Sequence, residues 1–212
     1  MSHRLPRRPL AAARAAAYSG LGSALAALCT ALAAPGALAG PEEGRAKAQA
    51  CAACHGADGN AVVAGVPSLA GQPRQFIVQA LFMYREGTRK NEVMTPLASP
   101  LKNPDLNDLA AYFSAQQRAR PAAAAPDAAR LALARAVVQR NNCAACHTPS
   151  FNGQQHIPRL AGQDKAYLLA QLTQFKASTR ADLDGTMTSA AQGLAADELE
   201  LMADYLSSFI AP

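Results

Sequence analysis

With 212 residues the chain has room for one or two domains. Half of it is hydrophobic, but alanine supplies much of that half and only 5% is aromatic, so any core is thin. The net charge of +5 is no argument for nucleic-acid binding: four of the 20 basic residues and none of the 15 acidic ones fall in the first 39 positions, which leaves +1 for the rest.

Those 39 positions read as an export leader. Arg4, Arg7, Arg8 and Arg14 give a basic start, an apolar stretch runs from Tyr18 to Ala34, and Ala37-Leu38-Ala39 matches a small-residue cleavage pattern. The apolar run is short for a membrane span and ends in Pro35-Gly36. Cys29 belongs to this leader, and Leu28 before it is too bulky for a lipoprotein acceptor site. Next comes Cys51-Ala52-Ala53-Cys54-His55, then Pro67-Ser68-Leu69-Ala70-Gly71-Gln72, then a helix predicted over 73–87 with Phe76, Ile77 and Leu81 on one side. Met94 follows in the loop setting Val93-Met94-Thr95-Pro96, and a closing helix carries Leu106, Leu109, Tyr112 and Phe113. Prolines 121 and 126 bracket alanines in a linker over 119–126. A helix predicted over 130–141, with Asp127 as its cap, runs into Cys143-Ala144-Ala145-Cys146-His147. Pro158-Arg159-Leu160-Ala161-Gly162-Gln163, a helix over 164–177, Met187 and a last helix with Leu199, Met202, Tyr205, Leu206 and Phe209 complete the chain.

The second series repeats the first in order, at offsets of 91 to 93 residues. The chain is therefore an internal duplication of about 40–118 and 127–212. The apolar positions recur at three and four, with no convincing alternation of period two. An all-α fold of two tandem helical domains is expected.

C-x-x-C-H is the attachment signature of c-type haem. Two thiols one helical turn apart can add to two vinyl groups on one porphyrin edge, and the following histidine then lies under the iron. Cys51, Cys54, Cys143 and Cys146 are thus expected to bind two covalent haem c groups, with His55 and His147 as proximal ligands. A thioredoxin-like dithiol lacks its βαβ context here. A zinc site built from both pairs leaves the matched methionines unexplained. Met94 lies 39 residues after His55 and Met187 lies 40 after His147, which singles them out as distal ligands. Met83 and Met202 have no such counterparts and read as core. His156 aligns with Gly65 and reads as a surface residue. The carbonyls of Pro67 and Pro158 are placed to accept the proximal Nδ1–H, or these prolines simply turn the chain toward Leu69 and Leu160. Arg89 and Arg180 are open to two readings, as partners of propionates or acidic side chains, or as solvated surface groups. Tyr112 and Tyr205 read as packing residues whose hydroxyls need partners.

Two copies of C-x-x-C-H and P-x-L-A-G-Q, each with a distal Met and a closing-helix Tyr, resemble the dihaem cytochrome c4 family over the whole chain after the leader. The resemblance implies two class I cytochrome c folds facing each other across a pseudo-twofold axis, with haem propionates near the interface and His/Met ligation of both irons. It also implies a periplasmic electron carrier, soluble or membrane-associated, with no catalytic residues. Such a carrier typically takes electrons from the cytochrome bc1 complex and passes them toward haem-copper terminal oxidases. A dihaem peroxidase, the enzymatic alternative, needs one iron with an open sixth position, whereas both repeats carry a matched methionine. One departure stands out: Thr148-Pro149 replaces the glycine that follows the first histidine, Gly56, and is expected to change that turn.

Overall fold

The structure, a computed structural model, describes residues 41–121 and 124–210. The leader, and with it Cys29 and the cleavage pattern, lies outside the described residues.

The first repeat contains α1 (Pro41–Ala48), a 3-10 turn (Gln49–Cys51) leading into α2 (Ala52–His55), α3 (Arg74–Arg85), α4 (Met94–Ala98) and α5 (Asn103–Ala115). The second contains α6 (Ala128–Arg140), α7 (Cys143–His147), α8 (Lys165–Lys176), α9 (Thr186–Gln192) and α10 (Ala196–Ser208). Among the described residues there is no β-strand, only an isolated bridge between Gln154 and Ile157. The all-α tandem architecture is as expected. Helix starts follow ordinary capping. Asp127 accepts a hydrogen bond from the Arg130 N–H at the head of α6, and Asp164 one from the Tyr167 N–H at the head of α8. Asp105 and Glu198 sit three residues inside the closing helices α5 and α10. Each reaches back to the cap backbone N–H, at Lys102 and Ala195, with 2.8 Å in both cases.

Each repeat has its own core. Ile77 of α3 packs with Leu109, Ala110, Tyr112 and Phe113 of α5 and with Ala48 at the end of α1. In the second, Leu168 of α8 meets Leu199, Met202, Ala203 and Leu206 of α10 and Ala134 and Val137 of α6. Met83 and Met202 are buried, as core methionines should be. Helix α1 crosses α5 closely enough that a Cβ on Gly44 would come within 2.1 Å of the Asp108 carbonyl oxygen.

The repeats meet along their P-x-L-A-G-Q segments, through a reciprocal set of bonds. The Gln72 side chain accepts from the Arg159 N–H (2.9 Å) and donates to the Arg159 carbonyl (3.0 Å). The Gln163 side chain does the same to Ser68, at 2.8 and 3.0 Å. Both glutamines are buried. A side-chain amide has one acceptor and two donors, so each pairs with both backbone polar groups of one residue in the other repeat.

Candidate haem sites

Helices α2 and α7 each end on the histidine of C-x-x-C-H. Both imidazoles are buried. His55 Nδ1 lies 2.8 Å from the Pro67 carbonyl oxygen and His147 Nδ1 lies 2.9 Å from that of Pro158. A carbonyl only accepts, so Nδ1 carries the proton and donates. That leaves Nε2 with a free lone pair, the state in which imidazole ligates iron. Burial pushes the pKa of both imidazoles down, partly offset by the proline carbonyls. Both rings are thereby kept neutral and fixed in orientation. The prolines thus act on the histidines as well as turning the chain.

None of the four cysteines forms a disulfide; Cys51, Cys54 and Cys143 are half-buried and Cys146 is exposed. Burial raises the pKa of the Cys51 and Cys143 thiols. No group of three or more His, Cys, Asp or Glu side chains converges on a metal-binding point among the described residues.

The methionines do not sit in loops. Met94 opens α4 and Met187 is the second residue of α9, and both are half-buried. Pro96 does not prevent this, because a proline in the first helical turn removes an N–H that has no partner anyway. Two polar side chains that sequence reasoning passed over hold these turns. Asn91 Oδ1 accepts from the N–H groups of Val93 (3.0 Å) and Met94 (2.8 Å). Asp182 accepts from the Met187 N–H (2.6 Å), and from the Thr188 N–H and hydroxyl. Their only signal in the sequence was an Asx residue a few positions before each methionine.

The turn after the second histidine also departs from expectation. Gly56 has φ 76° and ψ 153°, and Thr148 has φ 68° and ψ 158°. Thr148 adopts the glycine conformation instead of altering the turn. In the first repeat a Cβ at Gly56 would meet the Asn60 carbonyl oxygen at 2.1 Å. The second repeat avoids that clash by routing the chain differently: Gly153 N–H bonds the His147 carbonyl, whereas in the first repeat Val62 N–H bonds that of Cys54. His156 is half-buried. Tyr112 donates to the Ala57 carbonyl at 2.8 Å.

Arg89 and Arg180 are not solvated surface groups. Arg89 is buried and donates across the seam to the Tyr167 hydroxyl (3.0 Å) and Gln171 Oε1 (2.9 Å). Arg180 donates to the same Gln171 oxygen. Burial, and then the neighbouring Arg89 charge, pull the Arg180 guanidinium down to about 10. Among the described residues neither arginine pairs with a carboxylate, and Arg180 Nε is buried without a partner. A seam with two converging cations and an orphaned N–H fits a group that brings its own carboxylates, as haem does.

The chain matches the cytochrome c family twice, over residues 41–117 and 131–209. It is 36% identical over 178 residues to cytochrome c4 of Thiocapsa roseopersicina, covering 78% of this chain and 91% of that one. It resembles the solved cytochrome c4 of Pseudomonas stutzeri with a TM-score of 0.73 at 30% identity, over 82% of this chain and all of that one. The chain belongs to the cytochrome c4 family. Another relative, 37% identical over 76% of this chain and 79% of its own length, is the thiosulfate dehydrogenase electron acceptor of Stutzerimonas stutzeri. As a cytochrome c4 relative with two cytochrome c domains, this chain is a dihaem c-type electron carrier. It holds two covalent haem c groups, for which Cys51 with Cys54 and Cys143 with Cys146 form the C-x-x-C-H sites.

Proposed function

We propose that this cytochrome works in the periplasm as a one-electron shuttle between respiratory complexes, without catalytic residues of its own. The proposed domains span 40–118 and 127–212, with a linker over 119–126 and a cleaved leader before them. His55 and Met94 would hold one iron and His147 and Met187 the other. Haem iron, when bound, alternates between ferrous and ferric states and so carries one electron per repeat.

The observation that carries this reading is the pair of buried imidazoles, each with Nδ1 pinned by a proline carbonyl and each directly following a C-x-x-C pair. The prolines keep Nε2 available and the rings aligned, so the ligand need not reorient when the iron changes charge. Asn91 and Asp182 fix the backbone of the methionine turns, from which the Met94 and Met187 thioethers would ligate the irons and deny that place to small molecules. Arg89 and Arg180 offer buried positive charge to the propionates. The partners proposed are the cytochrome bc1 complex as donor and a haem-copper oxidase as acceptor. The relative described as a thiosulfate dehydrogenase electron acceptor makes such a dehydrogenase an alternative donor. Encounters of this kind are weak and transient.

The test is an optical titration of the haem-loaded protein. The weak near-infrared methionine–iron band of the ferric form should scale to two haems, and the ferrous form should bind no carbon monoxide. Met94→Ala and Met187→Ala should each remove half of the band and open one iron to carbon monoxide. A half-sized band in the unaltered protein, or carbon monoxide binding to it, would show an open iron and favour a peroxidase.

A further inference from the structure

Where the chain leaving α5 passes over the second repeat, a cavity of about 130 Å³ opens between Arg118, Arg120, Pro121, Arg159, Gly162 and Phe209. Three of its lining residues carry guanidinium groups and none carries a carboxylate. Arg159 lies at its inner end, only 4% exposed, while Arg118 and Arg120 are exposed at the mouth. Arg159 donates from Nη1 to the Ala161 carbonyl (2.6 Å) and from Nη2 to the Ala70 carbonyl (2.8 Å). Its Nε is buried and has no partner among the described residues. Arg118 uses one N–H on Asn152 Oδ1 (2.8 Å). Burial, and then the charge of Arg118, lower the pKa of Arg159 to about 10.

The cluster is peculiar to one side of the molecule. The position matching Arg159 in the first repeat is Ser68, so the symmetry of the duplication does not require an arginine here. Two of the seam bonds made by Arg159 use its backbone N–H and carbonyl, which serine provides equally well, and the third runs from Nη2 to the Ala70 carbonyl of the first repeat. Together with the bond to Ala161, this occupies two of the five guanidinium N–H groups, and the rest, the buried Nε among them, are left for another acceptor.

We propose that this cavity binds a small tetrahedral oxyanion of the sulfate or phosphate class, held by the guanidinium groups of Arg159, Arg118 and Arg120. Guanidinium forks match oxyanion geometry. A volume of about 130 Å³ equals roughly four water molecules, enough for one such ion with part of its hydration and too little for a nucleotide. The bound ion joins the linker, through Arg118 and Arg120, to Arg159, whose backbone is locked to Gln72 of the other repeat. Oxyanion concentration thereby acts on how firmly the two repeats are clasped. The chemistry is shared by free ions and by phospholipid headgroups, and the narrow cavity favours the free ion.

The experiment is urea unfolding of the haem-loaded full chain, with sulfate replacing chloride at constant ionic strength, alongside equilibrium dialysis against labelled sulfate. A saturable stabilisation and one sulfate per chain are expected. At a sulfate concentration one hundred times the dissociation constant, the unfolding equilibrium constant should fall about a hundredfold. Arg120→Gln, at an exposed residue, and Arg159→Ser, the first repeat's residue, should abolish the response. Arg74→Gln, on the exposed start of α3, should keep it. Sedimentation with phosphatidylglycerol vesicles, against phosphatidylcholine, assigns the oxyanion to a lipid if binding is seen there and is lost in the same variants. Equal stability in sulfate and chloride with no vesicle binding would overturn the proposal, as would an unchanged sulfate response in Arg120→Gln.

Discussion

Phe151→Gly tests whether the two repeats fill the same space from opposite directions. Phe151 occupies the position of Gly59: Leu69 and Ala70 donate to the Gly59 carbonyl, and Leu160 and Ala161 to that of Phe151. Leu206 occupies the position of Phe113, since Gly71 donates to the Phe113 carbonyl and Gly162 to that of Leu206. In the first repeat the ring comes from α5, and a Cβ on Gly59 would strike Phe113 at 2.7 Å. In the second the ring comes from the loop, where Phe151 is 2% exposed and meets Tyr205 and Phe209 edge-on at 6.0 and 5.1 Å. Deleting a buried phenyl costs about 3–5 kcal/mol. Phe151 also holds φ at 52°, and freeing that left-handed conformation returns about 1–2 kcal/mol. Phe151→Gly should therefore destabilise by a net ~1–4 kcal/mol. Leu206→Phe alone overpacks the site and should cost about 1–3 kcal/mol. Combined, the two changes rebuild the arrangement of the first repeat, and the double variant should lie within about 1 kcal/mol of the parent, a strongly non-additive cycle. Urea midpoints of the haem-loaded proteins at unchanged slope provide the measurement. Additive losses, or a cost below about 1 kcal/mol for Phe151→Gly alone, would refute the exchange.

Three further outcomes can be measured in the same way. Thr148→Gly should raise the midpoint by about 1 kcal/mol, because a φ of 68° with ψ of 158° is a conformation that only glycine holds without strain. Gln72→Ala leaves the Arg159 backbone N–H and carbonyl without their side-chain partner in a buried seam. It should cost about 2–4 kcal/mol from two lost bonds and speed proteolysis within the 119–126 linker. Glu198 is held below the ordinary carboxylate value by the Ala195 N–H and then by Arg140, and Asp105 likewise by Lys47 and then the Lys102 N–H. Depressed carboxylates contribute stability above their unfolded values that is lost as pH falls through the folded ones. Unfolding should therefore become easier below about pH 4. Glu198→Gln should flatten that acid limb, read from urea midpoints between pH 7 and pH 3.

The duplication, the haem motifs, the core methionines and the Asp127 cap were legible in the sequence because each is a local pattern: a spacing, a period or a residue at a helix start. Thr148 was misread because the rule applied to it concerned the residue alone, whereas its turn is set by where Gly153 finds its hydrogen bond. Arg89 was left undecided for a related reason. Its burial depends on Tyr167 and Gln171, some 80 positions away, and no local pattern encodes that approach.

The P-x-L-A-G-Q segment carries the same lesson further. Read locally it was a proline for the histidine or for a turn toward the leucine, and its last residue had no assignment. In the structure the proline carbonyl faces inward to His55 or His147, while the glutamine faces outward to the backbone of the other copy. A glutamine with this use is invisible in a single repeat, because its partner is the matching segment of its twin. Pairing of like with like is what a twofold relation permits: a contact made by one copy is returned by the other. One segment thus orients the histidine on one side and clasps the repeats on the other, so a disturbance of the seam has a short covalent path, Gln72 to Pro67 or Gln163 to Pro158, to the histidine of each haem site.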